Sequence, residues 1–432
     1  MKENKTQKKI FRILLIVFSL VICFTGGFFT HYLLTPNYAR KLGDIITIIN
    51  SVSKDPNGND ITLDTEEMAK GFVNAVLKND DYAQYFTDKE YKEKNTEGEG
   101  KYSGIGIALY ANAPKIYSVA GNSPAEKAGI KSGDVILRAK MTSQTEYVEF
   151  TSTQAVMDFL TNVSDGDEIE IIIKRDGVFD ERSFTLTKRK YVCSYVYYYD
   201  NQTSLRFVSE DESKPTKKLF NDERLDILPS DTALILFKAF EGDSATQLGE
   251  ALSYFYSSGK SKLIFDLRGN GGGYMDCLRE VASYFINNNK NNKNLVTEVE
   301  ERKGSSCYYT KGNNFDDRLK NIVVLADGGT ASASECLIGA MLCYKDANFN
   351  KDNLLIAYNS ERGNYSTYGK GIMQTTYPLL SGGALKLTTA RVLWPDGETC
   401  IHGTGIVQEN TANHINSENA ISRAVEILTN YN

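Results

Sequence analysis

Three regimes of hydrophobic and polar positions follow one another along the chain. Residues 13–34 form an apolar run without a charged side chain. Between about residues 101 and 188, short apolar segments alternate with turn residues, as around Ile169–Ile173, which predicts antiparallel strands and hairpins. From about residue 232, strand-like and helix-like spacings alternate. This predicts a mixed α/β fold in which helices pack on a parallel or mixed sheet.

The apolar run of residues 13–34 is long enough to cross a bilayer as a helix, which takes about 20 residues. A basic cluster precedes it, which predicts a cytoplasmic N-terminus and a chain that continues outside. A cleaved signal peptide is the alternative, but the run is long and no Ala-x-Ala site follows it. We therefore expect an uncleaved, single-pass anchor in the cell membrane, with the catalytic body on the extracytoplasmic side. The cluster consists of Lys2, Lys5, Lys8, Lys9 and Arg12.

A small helical module is predicted in residues 35–100. Asp64 with Glu67, and Thr87 with Glu90, have the spacing of capping boxes, in which two side chains bind backbone N–H groups at a helix start. We expect this module to pack on the rest of the chain or on another subunit, so a homo-oligomer stays open. Apolar positions at helical spacing follow the first box: Met68, Phe72, Val76 and Leu77.

In the region of alternating elements, each predicted strand leads into a turn and then a helix. Two polar stretches interrupt the pattern and are predicted as insertions, 198–230 as a long loop and 287–317 around an Asn-rich surface loop. The predicted strands are Ala233–Phe237, Leu263–Asp266, Ile322–Ala326 and Leu354–Tyr358, and the predicted helices are Leu248–Phe255, Leu278–Ile286 and Ala333–Cys343.

Charge and cysteine usage narrow the function classes. The 432 residues carry a formal net charge of −6, so no nucleic-acid partner is expected. The seven cysteines form neither a CxxC pair nor a zinc pattern. They are predicted to be mostly buried free thiols, and the sequence implies no metal and no cofactor.

The segment Gly328–Glu335 runs from a predicted strand through a Gly-rich turn into a helix. Ser332 would then lie at the helix N-terminus, where unpaired backbone N–H groups can hold an oxyanion beside a nucleophilic hydroxyl. The alternative is that Ser332 or Ser334 only caps the helix, which serine does often.

A nucleophilic serine needs a base, and the chain offers few histidines. His31 lies in the membrane segment and His414 in the polar C-terminal tail, which leaves His402 for a Ser-His arrangement. Lys370, between two glycines, is the other candidate, because burial lowers the pKa of lysine; alternatively it is an ordinary surface lysine in a turn. Gln374 lies four residues on and could orient the amine.

Two glycine-rich turns complete the candidate chemistry. Residues 266–273 follow a buried strand, and their glycines can present backbone N–H groups as one half of an oxyanion hole. A phosphate-binding turn is the alternative, although the segment lacks the Gly-Lys-Ser/Thr of a P-loop and a full GxGxxG motif. Asp266 and Arg268 within it are interpreted as structural. Gly104, Ile105, Gly106 and Ile107 precede a strand and could hold a peptide's terminal carboxylate while the peptide adds as a strand; a β-domain with simple glycine turns is the alternative.

Together these residues resemble the carboxyl-terminal processing proteases, also called tail-specific proteases, over roughly Leu63–Val407. The resemblance implies a PDZ domain, Ser332 as nucleophile, Lys370 as base and Gln374 as its supporting residue. The matching segments, in the family's order, are the lead-in Asp80–Tyr91, the PDZ stretches Gly104–Ile107 and Ser123–Leu137, then Asp266–Gly273, Thr330–Glu335 and Tyr368–Gln374, and the closing strands Leu385–Arg391 and Gly403–Val407.

Gly271 occupies a position where the family usually has proline. Two departures from the family pattern stand out: Ser332 and Lys370 are farther apart in sequence than is typical, and the stretches 198–230 and 287–317 are insertions that bear on partner binding and substrate access. The extra residues between Ser332 and Lys370 fall in two polar stretches, 346–353 and 359–367, predicted as loops.

The predicted organisation is a basic tail (1–12), a membrane helix (13–34), the helical module (35–100), a PDZ domain (101–190) and a Ser-Lys protease core (191–432). The expected function is a serine endopeptidase that binds the free C-termini of protein substrates. Its oxyanion hole would use the backbone N–H groups of Ala333 and of Gly272 or Gly273. Two alternatives stay open: a non-catalytic, membrane-tethered PDZ scaffold, and a Ser332–His402 hydrolase.

Overall fold

A computed structural model of the chain describes residues 37–54, 63–98, 101–110, 113–175, 177–211, 214–219, 225–287 and 294–430. The predicted basic tail and membrane helix lie outside these residues. Among the residues described, no helix is both long and apolar enough to cross a bilayer. The chain divides into two compact units, Met1–Lys78 and Asn79–Asn432.

The first unit contains helices α1 (Asn37–Val52) and α2 (Thr65–Val76). The predicted start of α2 is confirmed, because the Asp64 carboxylate accepts hydrogen bonds from the backbone N–H groups of Glu66 and Glu67, at 2.8 and 3.2 Å. The second unit begins at Asn79, so the stretch 35–100 is not one module: its last third belongs with the larger body.

The larger unit opens with a lead-in of strand β1 (Gln84–Phe86) and helix α3 (Asp88–Gly98). The second predicted capping box is formed in full. The Thr87 N–H donates to Glu90 Oε2 at 2.8 Å, and the Glu90 N–H donates to Thr87 Oγ1 at 3.3 Å.

The predicted PDZ region is a β-rich module with two short helices. Period-2 alternation turns Ile169, Ile171 and Ile173 inward, and all three are buried. The elements are β2 (Lys101–Gly104), β3 (Ile107–Leu109), β4 (Ile116–Val119), α4 (Pro124–Ala128), β5 (Val135–Met141), β6 (Val148–Glu149), α5 (Thr153–Thr161), β7 (Glu168–Lys174), β8 (Arg182–Thr187) and β9 (Arg189–Val192).

The C-terminal region alternates strands and helices as predicted. Its strands are β10 (Val196–Tyr199), β11 (Ser204–Asp211), β12 (Lys214–Leu219), β13 (Thr232–Phe237), β14 (Lys262–Asp266), β15 (Leu295–Glu301), β16 (Gly304–Tyr309), β17 (Asn321–Ala326), β18 (Leu354–Ala357), β19 (Ile372–Pro378), β20 (Ala384–Leu393) and β21 (His414–Ile415), and its helices are α6 (Ser244–Ser257), α7 (Met275–Ala282), α8 (Ala333–Tyr344) and α9 (Ala420–Asn430).

An eight-stranded mixed sheet, in the order β12-β11-β10-β13-β14-β17-β18-β21, forms the core. The run from β13 to β21 is parallel. Leu263 and Phe265 of β14 pack in the cluster with α6, α7 and α8, whereas Ile264 packs in the cluster with α9. Alternate residues of one strand therefore bury opposite faces, which accounts for its continuous apolar sequence.

A second sheet, in the order β1-β20-β15-β16 with β19 paired to β20, lies in the same unit. Strands β15 and β16 lie within the predicted insertion 287–317, so part of that stretch belongs to the sheet. The predicted loop at 198–230 is wrong, because β11 and β12 form a hairpin there. Leu205 and Phe207 of β11 are buried, which provides the apolar anchor for that hairpin.

The closing strand predicted at Gly403–Val407 is wrong as well. These residues form turns, with one isolated bridge between Ser366 and Val407. Gly403 and Gly405 both have positive φ, at 78° and 70°, which is incompatible with strand geometry. The six cysteines in the described ranges are free, but only Cys193 and Cys336 are buried. The prediction of mostly buried thiols is therefore only partly right.

Candidate active site

Ser332 occupies the turn between β17 and α8, in a strained conformation. Its φ of 56° and ψ of −116° lie outside the regions that L-residues prefer, and such strain is concentrated at functional sites. The glycine-rich segment after β14 holds this turn in place. The Thr330 hydroxyl donates to Leu267 O at 2.8 Å, and the Ala331 N–H donates to Asn270 O at 3.0 Å.

Glu335 joins the serine turn to the lysine loop. It is fully buried, and its Oε2 accepts hydrogen bonds from the backbone N–H groups of both Ser332 and Lys370, each at 2.9 Å. Its Oε1 accepts from the Thr367 hydroxyl at 2.5 Å and from the Gly369 N–H at 2.8 Å. One carboxylate oxygen thus holds the two candidate catalytic residues next to each other.

Burial raises the pKa of the Glu335 carboxyl group. The hydrogen bonds from Thr367, Lys370, Gly369 and Ser332 act in the opposite direction and lower it, but burial is the larger effect. Three of those four partners are backbone N–H groups, which can only donate. This pattern favours an ionised carboxylate, because the neutral acid would have to turn its own proton toward a donor.

Lys370 lies half-buried in a loop that depends on neighbouring glycines. Gly369 has φ of 87°, and a Cβ there would lie 2.6 Å from Gly405 N. The Gly403 N–H donates to Gly369 O at 2.9 Å. Arg362 donates to the carbonyl oxygens of Tyr368 and Gly403, which ties the two loops together.

Burial lowers the pKa of Lys370, and the positive charge of Lys386 lowers it further, whereas the Glu335 carboxylate acts in the opposite direction. Within the described ranges, no carboxylate comes within ion-pair distance of the Lys370 amine. The Tyr82 ring lies over it, with the ring centroid 5.1 Å from Nζ. This environment favours a neutral amine, which is the form a general base needs.

The glycine-rich turn after β14 contacts the serine turn at one point. Gly272 has φ of 95°, and a Cβ there would lie 2.7 Å from both Ala331 O and Ala333 N. The Gly272 N–H already donates to Asn270 Oδ1 at 2.9 Å, so it is not free for an oxyanion in this conformation. Gly273 packs instead against the backbone of Phe240.

Neither the Ala333 N–H nor the Gly273 N–H meets a hydrogen-bond acceptor in the part of the chain that the structure describes. The Ala333 N–H belongs to the first turn of α8, where the helix leaves donors unpaired. Of the three predicted oxyanion donors, the Ala333 N–H is therefore both unpaired and adjacent to Ser332.

Gln374 lies on β19 at a bulge and points its hydrogen bond away from the lysine. Its Nε2 donates to Thr388 Oγ1 at 3.2 Å, and that hydroxyl donates to Asp80 Oδ1 at 2.8 Å. In this structure Gln374 is linked to the lead-in rather than to Lys370. The sequence interpretation of Gln374 as the group that orients the amine stays a prediction.

The remaining candidates are arranged differently. Asp266 accepts hydrogen bonds from the Arg268 guanidinium at 2.7 and 2.9 Å, an arrangement that closes the turn on itself. His402 is exposed beside Gly371, and His414 stacks on Tyr365 with ring centroids 3.6 Å apart. A cavity of about 760 Å³ lies between α6, α7 and residues 314–318, and Ser332 is not among its lining residues.

The predicted carboxylate loop Gly104–Ile107 connects β2 to β3. A Cβ at Gly106 would lie 2.1 Å from Ser123 Cβ, and its φ is 81°, so this position requires glycine. In the described residues β3 pairs only with β4, which leaves one strand edge open for an added peptide. The Lys188 ammonium caps the C-terminal carbonyls of α5 nearby.

Polar contacts fasten this β-rich module to the core. The Tyr102 hydroxyl, two residues before Gly104, donates to Glu241 Oε2 at 2.7 Å. Glu126 of α4 accepts from the Tyr197 hydroxyl at 2.8 Å and also from Arg206. Side-chain bridges therefore link β2 to Glu241 and link α4 to strands β10 and β11.

The sequence interpretation missed Glu335 and Tyr82 as site residues. The Ser-x-x-Glu spacing of Ser332 and Glu335 is that of a capping box, so the local signal for Glu335 was present. No local signal predicts that Tyr82 would lie over Lys370.

Two stretches of the chain match known families: residues 103–186 match the PDZ domain and residues 231–410 match peptidase family S41. A probable CtpA-like serine protease of Staphylococcus aureus (strain N315) is 26% identical over 353 residues, covering 81% of this chain and 60% of the relative. A protein of the same description from Staphylococcus saprophyticus is 27% identical over 352 residues, covering 80% and 60%. The chain therefore spans about 60% of the length of these curated relatives.

Among solved structures, a photosystem II D1 C-terminal processing protease matches with a TM-score of 0.50 and 20% sequence identity. The match covers 84% of this chain and 86% of that one. This likeness concerns the fold alone.

Proposed function

We propose that the chain is a carboxyl-terminal processing protease, that is, a serine endopeptidase acting on protein substrates with free C-termini. The match to the PDZ domain at residues 103–186, ahead of the match to peptidase family S41 at residues 231–410, supports this proposal, as does the similarity to CtpA-like serine proteases. The substrate's C-terminus binds at Gly104–Ile107 and its chain adds as a strand to the open edge of β3. The reaction is peptide-bond hydrolysis through an acyl-enzyme formed on Ser332.

In the proposed reaction the neutral Lys370 amine accepts the proton of the Ser332 hydroxyl as Oγ attacks the substrate carbonyl carbon. The Ala333 N–H stabilises the oxyanion that forms, a contribution of about 3–4 kcal/mol for a well-placed donor. The Lys370 ammonium then protonates the leaving amine as the peptide bond breaks. Water attacks the resulting ester while Lys370 accepts a proton from it. The Lys370 ammonium then returns this proton to Ser332 Oγ as the ester bond breaks, which restores the free hydroxyl and the neutral amine.

The observation that carries this proposal is the shared acceptor at Glu335. Its Oε2 binds the backbone N–H groups of Ser332 and Lys370, so the backbones of the proposed nucleophile and the proposed base lie next to each other, which supports the assignment. A serine that merely capped a helix would need no lysine beside it. The exposed position of His402 gives the Ser-His alternative less support.

The test is the labelling rate with a serine-reactive fluorophosphonate probe, measured against pH. Ser332→Ala and Lys370→Ala are expected to abolish labelling, since the two residues act as a unit. Lys370→Arg should not restore it, because guanidinium stays protonated. A folded Lys370→Ala protein that still reacts, beside a folded His402→Ala protein that does not, would replace the Ser-Lys assignment by a Ser-His one.

The same wild-type measurement discriminates the non-catalytic alternative. A tethered PDZ scaffold would bind peptides yet leave Ser332 unlabelled at every pH. We also propose that residues 13–34 anchor the protein in the cell membrane with the catalytic body outside, a proposal supported by the charge-free run behind a basic N-terminus.

A further inference from the structure

The lead-in segment that precedes β1 is fixed to β20 at several points. The Asp80 carboxylate accepts hydrogen bonds from the Thr388 N–H at 2.9 Å and from the Thr388 hydroxyl at 2.8 Å. Strand β1 then pairs with β20, and Phe86 at its end is buried. The Gly383 N–H donates to Asp88 Oδ1 at 2.7 Å. The segment is therefore a firmly attached part of the wall around Lys370.

Tyr82 projects from this segment onto the lysine. Its ring centroid is 5.1 Å from Lys370 Nζ. Burial, and after it a side-chain interaction with Tyr368, raises the pKa of Tyr82 to about 12, so its ring carries a neutral hydroxyl in the physiological range. The Tyr82 backbone N–H donates to Asp80 Oδ1 at 3.1 Å, which links the residue to the anchored part of the lead-in.

We propose that Tyr82 is a positioning residue for the proposed reaction: its ring shields the Lys370 amine from water, so that the amine can serve as a neutral base. This rests on the proposed function, in which Lys370 is that base.

Two effects of the ring oppose each other. An aromatic face attracts an ammonium group, typically by about 0.5–1 kcal/mol where the group is exposed, which would keep Lys370 protonated. Exclusion of water disfavours the ammonium and acts in the other direction. Burial is the leading cause of the lowered pKa of Lys370, so shielding is expected to outweigh attraction.

The charged and titratable neighbours of Lys370 come from several elements. Lys386 of β20 and Glu335 of α8 act on it with opposite sign, and Tyr368 lies in its own loop. Cys400 and the backbone of His402 meet the adjacent Gly371. The negative charge of Asp80 raises the pKa of Lys386, and its carboxylate accepts a hydrogen bond from Thr388. A substitution at position 82 leaves all of these charged groups in place.

The test compares wild type, Tyr82→Ala and Tyr82→Phe as full chains, by the pH dependence of fluorophosphonate labelling. Tyr82→Ala admits water, and its acid limb is expected to move up by about one pH unit. Labelling would then slow about tenfold below the wild-type midpoint and stay within about twofold on the alkaline plateau. Tyr82→Phe retains the ring and should keep the wild-type midpoint.

A loss of rate at every pH with an unmoved midpoint would overturn the proposal, because it would show a structural role only. A midpoint that moves down would overturn it too, since attraction to the ring would then dominate. If Tyr82→Ala does not fold, Tyr82→Leu keeps an apolar cover without an aromatic face. Its midpoint should equal or lie below that of wild type, and an upward shift would refute shielding.

A second readout separates this proposal from the proposed function. Reductive methylation with ¹³C-formaldehyde labels the lysines, and Lys370→Arg identifies the Lys370 resonance, whose NMR titration gives the pKa without any reaction at Ser332. If wild type is not labelled by the probe, the proposed function fails, whereas the titration still reports whether Tyr82→Ala raises the pKa of Lys370. An unchanged titration would overturn the shielding role even in an active enzyme.

Discussion

Replacement of Glu335 by glutamine isolates the contribution of the buried carboxylate that joins the serine turn to the lysine loop. Its four bonds come from Ser332, Lys370, Gly369 and the Thr367 hydroxyl. In Glu335→Gln the amide oxygen can still accept the hydrogen bonds from the Ser332 and Lys370 N–H groups. The amide nitrogen then faces Thr367, whose hydroxyl can rotate and accept a hydrogen bond from it. The Gly369 N–H is then left without an acceptor, at a cost of about 1–3 kcal/mol.

The same substitution removes a negative charge that raises the pKa of Lys370. The pKa of the amine should therefore fall further in Glu335→Gln, and more of it should be neutral at a given acidic pH. The acid limb of the labelling profile is expected to move to lower pH although the protein is less stable. Few other mechanisms combine lower stability with better activity in acid, so this pair of signs is diagnostic.

The assay pairs urea unfolding with fluorophosphonate labelling between acidic and alkaline pH. Ser334→Ala is the matched control on the same helix, since it removes one buried hydrogen bond to Asn270 O, about 1 kcal/mol, without changing charge. Its acid limb should stay in place. Unaltered unfolding of Glu335→Gln, or an acid limb that moves up, would refute the reasoning that Glu335 holds the lysine loop and biases its charge.

Three further predictions concern glycines and topology. Gly272→Ala should abolish labelling, because its Cβ would lie 2.7 Å from backbone atoms of the serine turn, whereas Gly271→Ala meets nothing within 4 Å and should react almost as wild type. Gly106→Val should weaken the binding of peptides with a free C-terminal carboxylate to the level of peptides with an amidated C-terminus, as measured by fluorescence titration. If wild type binds both peptides equally well, the Gly104–Ile107 loop does not recognise the carboxylate. Deletion of residues 1–36 should release a soluble, active protein, and resistance of the catalytic body to protease added outside intact cells would contradict the proposed orientation.

How far the sequence alone specified this protein depends on the range of the interactions concerned. Strands such as β13, β14 and β17 and helices such as α8 were predictable because their periods of 2 and 3.6 residues are local. Capping boxes at Asp64 and Thr87 were equally readable, since both partners lie within one turn of helix. Ser332 and Lys370 were candidates from their local sequence, and the resemblance, which depends on residue order and not on geometry, favoured them over the alternatives.

Pairing between distant segments could not be read in this way. The sequence of the β11–β12 hairpin is polar, and for that reason it was predicted as a loop. The hairpin is held because Leu205 and Phe207 of β11 are buried in the core. The Gly403–Val407 stretch was predicted as a strand. In the structure it turns at Gly403 and Gly405, which have positive φ, and Gly405 packs closely against Gly369 of the distant lysine loop.

The chemistry of the site divides along the same line. Sequence identifies the serine and the lysine, but the charge state of that lysine depends on burial, which is a property of the whole fold. Tertiary structure alone brings the Tyr82 ring over Lys370 and directs the backbone N–H groups of Ser332 and Lys370 to one oxygen of Glu335. It also engages the Gly272 N–H with Asn270, which leaves the Ala333 N–H, among the residues described, as the unpaired donor next to the proposed nucleophile.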